Sequence, residues 1–342
     1  MTKSKIEISE PARFLVLGKN ANTPLVSDGN LSIGSFLESL GRRIFNVADL
    51  KETDAILCVD SPRNSQEFLV IKQNPNLKKI LVSYEPSIVD PLTSKGRFRS
   101  LFELVVEVGR PSTPENVTLK WPQTWDICSA DKHGKRNSRV VLLNANKISF
   151  ISGELYSLRR KCALALNDLD VFGWDWDAGW RRRAFTFAAE LVICVKSGNL
   201  PNPMAARGWF RRIQNWHGAP LTKASVLSDY KYSLVIENSL EFLSEKLFDS
   251  LLSGAMPIYV GPQLSHFDIP EELVFQAKAS IEDIESAIKL AMEADYSSWL
   301  LKLNAWLSTE ETKRSWAAGD VFSRLLEICD NSSSRPLDRP NG

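Results

Sequence analysis

The chain predicts an α/β fold of two Rossmann-like domains with a helical carboxyl-terminal region. Three observations carry that prediction. Short, wholly apolar runs alternate with helical stretches; the alternation restarts after a charged break at residues 131–138; and the last third reads as helix throughout. The length of 342 residues agrees, since it exceeds what one hydrophobic core usually organises.

In the first third, Phe14–Leu17, Ala55–Val59, 79–82 and Leu104–Val108 read as buried strands, with helices at 33–40 and Ser65–Gln73 between them. Strands that are apolar on both faces, joined through helices, belong to a parallel sheet covered on both sides. The polar segment 131–138, with Gly134 near its centre, reads as a linker between a first domain, 1–130, and a second, 139–330. Beyond it come a strand at 139–143, a helix at 153–166, a strand at 170–173, and strand, helix, strand at 232–236, Glu245–Leu252 and Met256–Val260. Helices at Ile281–Glu293, 297–307 and 310–329 follow, with Trp299, Trp306 and Trp316 as packing anchors, and a polar tail, 331–342, with nothing to bury is expected to be disordered.

Composition narrows the class. Apolar residues at 44% and charged residues at 24% are those of an ordinary globular protein, and a net charge of +1 gives no global attraction to nucleic acid. Five cysteines without a CxxC pair fit reduced thiols better than a disulfide framework. The amino terminus lacks the apolar core of a signal peptide, and no apolar run reaches the roughly 18 residues of a membrane span. A cytoplasmic protein with at most peripheral contact at the inner membrane face is expected.

The densest signal runs from Tyr230 to Gly261. An apolar strand ends in Glu237 and Asn238, a helix opens with Ser244, Glu245 and Lys246, and a second strand closes on Gly261. Polar side chains at the carboxyl ends of buried strands, beside a helix amino terminus, are how an open α/β sheet holds a phosphorylated ligand. Glu237 and Asn238 can hydrogen-bond sugar hydroxyls or a ribose, or Asn238 can serve only a left-handed turn. Ser244 is placed to cap the helix, and Glu245 suits its dipole. Lys246 opposes the dipole unless an anion is bound, and otherwise reads as a solvated surface lysine.

Read together, Tyr230-Lys-Tyr-Ser-Leu-Val-Ile-Glu-Asn-Ser, the Glu245-Lys246 helix start and Gly254-Ala-Met-Pro-Ile-Tyr-Val-Gly261 resemble the donor-site signature of glycosyltransferase family 10, the α1,3/4-fucosyltransferases, in its soluble bacterial form. The resemblance implies a GT-B fold, two Rossmann-like domains facing across a cleft. It also implies inverting transfer of L-fucose from GDP-fucose to a saccharide hydroxyl on an oligosaccharide or lipid-linked glycan, with no added cofactor or metal. By the same resemblance Asn238, Glu245 and Lys246 meet the donor, Glu245 at the sugar hydroxyls and Lys246 at the diphosphate. Arg159, with Arg160 as fallback, supplies the diphosphate-binding arginine of the helix near Tyr156. Phe242 stands where the family often carries a tyrosine. The catalytic base comes from a turn after a first-domain strand, which here is Ser83-Tyr84-Glu85-Pro86-Ser87 and makes Glu85 the candidate, although an exposed glutamate before a proline reads the same way. A transferase using another nucleotide sugar, or a non-catalytic glycan-binding protein, would share the donor signature.

Other polar clusters read as structural. Asp175-Trp-Asp177 has the form of a metal-binding DxD but falls in a predicted surface loop, and His133, His217 and His266 lack a second ligand at usable spacing. The runs Trp180-Arg-Arg-Arg183 and Arg207-Gly-Trp-Phe-Arg-Arg212 read as a solvated basic face over packed tryptophans, the alternative being contact with sugar rings or anionic lipid.

Overall fold

The computed structural model of the chain is described over residues 12–24, 31–44, 47–112, 116–125 and 136–333. The first sheet contains β1 (Phe14–Leu17), β2 (Arg43–Ile44), β3 (Ala55–Val59), β4 (Lys78–Ser83), β5 (Leu104–Val108) and β6 (Val117–Leu119) in the spatial order 2-1-3-4-5-6, every pair parallel. All five residues of β3 are fully buried, which is why this run carries no polar residue on either face. Helices α1 (Ile33–Ser39), α2 (Ser65–Gln73) and α3 (Gly96–Arg99) make the crossovers, and Ser32 and Asn64 cap the first two by accepting main-chain N–H groups.

The second sheet contains β7 (Asn137–Leu143), β8 (Leu169–Phe172), β9 (Tyr230–Ile236), β10 (Met256–Val260) and β11 (Phe275–Gln276) in the order 11-10-9-7-8, again all parallel. Its helices are α4 (Tyr156–Ala165), α5 (Trp180–Lys196), α6 (Lys223–Leu227), α7 (Glu245–Leu252) and α8 (Ile281–Glu293), followed by α9 (Tyr296–Leu307), α10 (Glu310–Trp316) and α11 (Ala318–Ser333). In each sheet the strand order reverses once, between β1 and β3 and between β7 and β9. Such a reversal leaves a crevice at the strand carboxyl ends, where ligands of doubly wound sheets bind.

Several elements differ from expectation. The helix expected over 310–329 is broken at Ala317, whose extended backbone lies against Gln123. Trp316 packs in the core of the second sheet. Val321, Phe322, Leu325 and Cys329 of α11 pack in the core of the first. The chain thus crosses back, and α11 joins the sheet it was not grouped with because its apolar face completes that core. Each of those aliphatic or aromatic side chains contributes roughly 1.5–3 kcal/mol by burial.

The expected linker falls largely outside the described residues, while Asn137 and Ser138, its last two positions, already belong to β7. The expected tail lies outside them beyond Ser333, and its first residues continue α11. Helix α5 was not expected at all, because apolar residues occur around its whole circumference and give no single stripe. Among the described residues no helix is long and apolar enough to cross a membrane.

Candidate functional site

The two sheets enclose a cleft of about 510 Å³ whose walls come from both, Asn20, Glu85 and Trp121 on one side and Lys147, Asn238 and Lys246 on the other. On the first side, β3 is followed by Asp60, held at φ +58°, a left-handed conformation that aspartate tolerates better than most residues. Its buried carboxylate accepts the backbone N–H of Tyr84 at 2.8 Å, that of Glu85 at 3.0 Å and the Asn20 amide at 2.6 Å. These bonds fix the turn after β4 and aim Glu85 into the cleft. Burial pushes the Asp60 carboxyl up to about 6 despite its hydrogen bonds. Burial and then the charge of Asp60 push Glu85 up to about 7, with Lys147 and Lys246 opposing.

On the second side, α4 starts beside the end of β9, so its first turn can reach the strand's last carbonyl. Arg159 is fully buried there and donates to the Ile236 carbonyl from Nη2 at 2.7 Å and from Nε at 3.2 Å, and from Nη2 to Asn238 Oδ1 at 2.9 Å. Its guanidinium lies 4.8 Å from the Tyr156 ring centre and lines the cleft. Ser244 precedes α7 without capping it by its side chain. Its Oγ instead donates to Glu237 Oε2 at 2.7 Å and accepts from Lys246 Nζ at 2.7 Å. The first turn of α7 faces the cleft without a side-chain cap from Ser244, the arrangement that receives anions.

Glu245 is gripped by a residue the sequence did not signal. Lys223 Nζ at the start of α6 donates to Glu245 Oε1 at 3.0 Å and to Asp249 Oδ2 at 2.6 Å. Burial alone would raise the Glu245 carboxyl, but Lys223 and Lys246 together hold it well below the usual carboxylate range. It remains ionised and its side chain is a quarter exposed at the cleft, an acceptor for hydroxyl groups. The charge of Lys223 is favoured in turn, burial being outweighed by Glu245 and Asp249.

Glu85, Arg159, Asn238, Glu245 and Lys246, drawn from four separate stretches of chain, all line this one cleft. Glu237 does not, contrary to its expected donor contact. It is 0% exposed, and its carboxylate accepts the Ser244 N–H at 2.9 Å, the Ser244 hydroxyl and Lys246 Nζ at 3.4 Å, so it anchors the start of α7 from beneath. Arg160 is no substitute for Arg159, because it is consumed by the carbonyls of Lys147, Ala205 and Arg207. Asp175 of the DxD-like run pairs with Arg182 at 2.6 Å, and among the described residues no cluster of three or more His, Cys, Asp or Glu could hold a metal. His133 lies outside the described residues.

Lys147 and Asp60 escaped the sequence reading. Each follows a strand end next to a reversal of strand order, a positional signal that could have found both. Lys147 sits beside Glu85, and burial lowers its ammonium while the Glu85 charge opposes that shift. Lys223 offers no such signal, since only the tertiary fold brings α6 against α7.

Two parallel sheets with helices on their faces and a cleft between their strand ends are the architecture of the GT-B fold. Comparison of the fold agrees. The chain is similar over its full length to a solved α1,3-fucosyltransferase, with 14% identity, a TM-score of 0.54 and 96% of that chain covered. It is similar to an α1,3-fucosyltransferase structure with GDP-fucose at 12% identity and a TM-score of 0.52, covering 100% and 96% of the two chains. An Anabaena protein, HepE, solved with UDP and glucose, matches at 10% identity and a TM-score of 0.50, covering 91% of this chain and 84% of that one. A fucosyltransferase-like protein of Arabidopsis thaliana is 36% identical over 69 residues, a stretch that is 20% of this chain and only 14% of that relative. No family model matches.

Proposed function

We propose that the protein is an inverting glycosyltransferase that moves L-fucose from GDP-fucose to a saccharide hydroxyl of an oligosaccharide or lipid-linked glycan. The observation that carries this reading is the facing of a half-buried carboxyl, raised to about 7, by Lys147, Arg159 and Lys246 in one cleft. A base poised near neutrality accepts the acceptor's proton as that oxygen attacks the anomeric carbon. The bond from that carbon to the diphosphate oxygen breaks as the new one forms, and the negative charge passes to the departing GDP. Lys246, Arg159 and the first-turn N–H groups of α7 neutralise it without a proton. Asn238 and the ionised Glu245 orient the sugar hydroxyls.

Mass spectrometry of products formed from GDP-fucose and a mixed oligosaccharide pool tests the reading. A fucosylated product with release of GDP is expected. Absence of product, together with no calorimetric heat on adding GDP, would remove it. A related transferase using another nucleotide sugar is favoured by one observation, the likeness to HepE with UDP and glucose. Turnover with a UDP-sugar and none with GDP-fucose would select that reading.

A further inference from the structure

Helix α5 has two apolar stripes and the protein uses one. Phe187, Leu191 and Cys194 pack into a small core with Phe150 and Trp209. At the spacing i, i+3, i+7, i+10, residues Phe185, Ala188, Val192 and Val195 form a second stripe that points to solvent. Phe185 is 78% exposed, and Trp180 at the start of the helix is 71% exposed. The tryptophans of this region are thus not all packed beneath its arginines, as the sequence suggested. The following loop adds Leu200, Met204 and Phe210, all at least half exposed.

Charge accompanies this apolar surface. Residues 178–212 hold seven arginines and lysines; Arg182 pairs with Asp175 and Arg183 is buried, which leaves Arg181, Lys196, Arg207, Arg211 and Arg212 exposed in a chain whose net charge is only +1. Arg181 and Lys196 flank the exposed stripe. Arg183 donates to the carbonyls of Trp209 and Arg211, which holds the loop carrying Arg211 and Arg212 beside the helix. A contiguous exposed apolar patch calls for a partner, and a cationic border selects an anionic one. Aromatic and aliphatic side chains with arginines and lysines at their edges are what a helix lying in a lipid interface presents.

We propose that the outer face of α5 docks the protein on an anionic phospholipid bilayer, the stripe through Phe185 and Val192 entering the headgroup boundary and the surrounding cations meeting phosphates.

The test is sedimentation of the full-length protein with vesicles of phosphatidylglycerol and phosphatidylcholine in equal parts, set against phosphatidylcholine alone. Binding to the anionic vesicles only, weakened by salt, is expected. Neutralising two cations with Arg181→Gln and Lys196→Gln lowers partitioning roughly thirty-fold. Phe185→Asp with Val192→Asp abolishes it. All these positions are exposed and away from the main cleft, so the thermal unfolding midpoint of the variants, unchanged from the parent, reports intact folding. No binding to anionic vesicles, or binding unchanged in both variants, overturns the proposal. So does a concentration-dependent dimer that Phe185→Asp dissolves without vesicle binding, which would give the face to a second copy of the chain. None of these readouts requires transfer activity, so failure here leaves the transferase reading standing.

Discussion

The Asp60 carboxylate accepts the backbone N–H of Glu85 at 3.0 Å. One acid thereby positions another, through the main chain and through its charge. The bond fixes where the Glu85 side chain starts, and the nearby negative charge keeps its proton on until the medium approaches neutrality. Burial, not Asp60, is the larger of the two causes, which sets the size of what Asp60 can change.

Replacing Glu85 by glutamine is expected to lower the rate of transfer by about 10²–10⁴-fold while GDP binding is retained, because the proposed general base is removed and the proposed diphosphate site is untouched. Single-turnover kinetics beside GDP calorimetry check this. The same variant is expected to be more stable above neutral pH. Folding raises the Glu85 carboxyl from its ordinary 4.5 to about 7, so ionisation opposes folding progressively across that window. The gain from glutamine is absent at pH 4 and approaches a few kcal/mol, at most about 3, by pH 8. Urea unfolding at the two pH values measures it.

Asp60→Asn keeps an oxygen for the Tyr84 and Glu85 N–H groups and removes the charge. With less negative potential nearby, Glu85 ionises more readily, and the acid limb of kcat/KM is expected to move to lower pH. An acid limb that stays in place in this variant would remove Glu85 as the group it reports.

Lys246→Met is expected to weaken GDP binding roughly ten- to hundred-fold, the loss of a charge-assisted contact, and to reduce turnover in parallel. Lys223→Met should act differently. Its partners Glu245 and Asp249 lose their cation, costing roughly 1–2 kcal/mol of stability near neutral pH. Glu245 lies below its usual range in the folded protein. Its stabilising share is therefore present above that range and lost on acidification, and the two proteins converge in stability at low pH. Thermal unfolding across pH separates the two lysines.

Gly109 sits where the two sheets touch. It has φ +71°, accepts the Leu243 N–H at 2.7 Å, and leaves so little room that a Cβ would come within 2.3 Å of the Leu243 carbonyl oxygen. Gly109→Ala is expected to cost about 2 kcal/mol or more, from left-handed strain and from wedging the contact apart. It should also weaken donor binding, since adjacent Phe242 packs into the first core, edge-on to Trp121 at 5.3 Å. Denaturation and GDP calorimetry on one sample test both effects.

Local chemistry made much of this legible. The runs 55–59, 232–236 and 256–260 could only be buried parallel strands, and their ends had to face a crevice. The start of α7 was readable because Ser244, Glu245 and Lys246 sit at the junction of a loop and an amphipathic helix. Arg159 was singled out by the resemblance of its helix, yet nothing local separates it from Arg160. Only packing decides that one guanidinium reaches the strand end and the cleft while its neighbour is spent on loop carbonyls.

The sequence by itself determined two parallel sheets, their longer buried strands and the strand ends where polar side chains gather, because apolar periodicity and capping act over a few residues. The tertiary structure alone decided that Glu237 lies beneath the cleft, that Lys223 grips Glu245, that Asp60 aims Glu85 and that α11 returns to the first sheet. Those relationships join residues distant in the chain. They arise because burial leaves each charged group in need of a partner, whichever segment the fold happens to bring near.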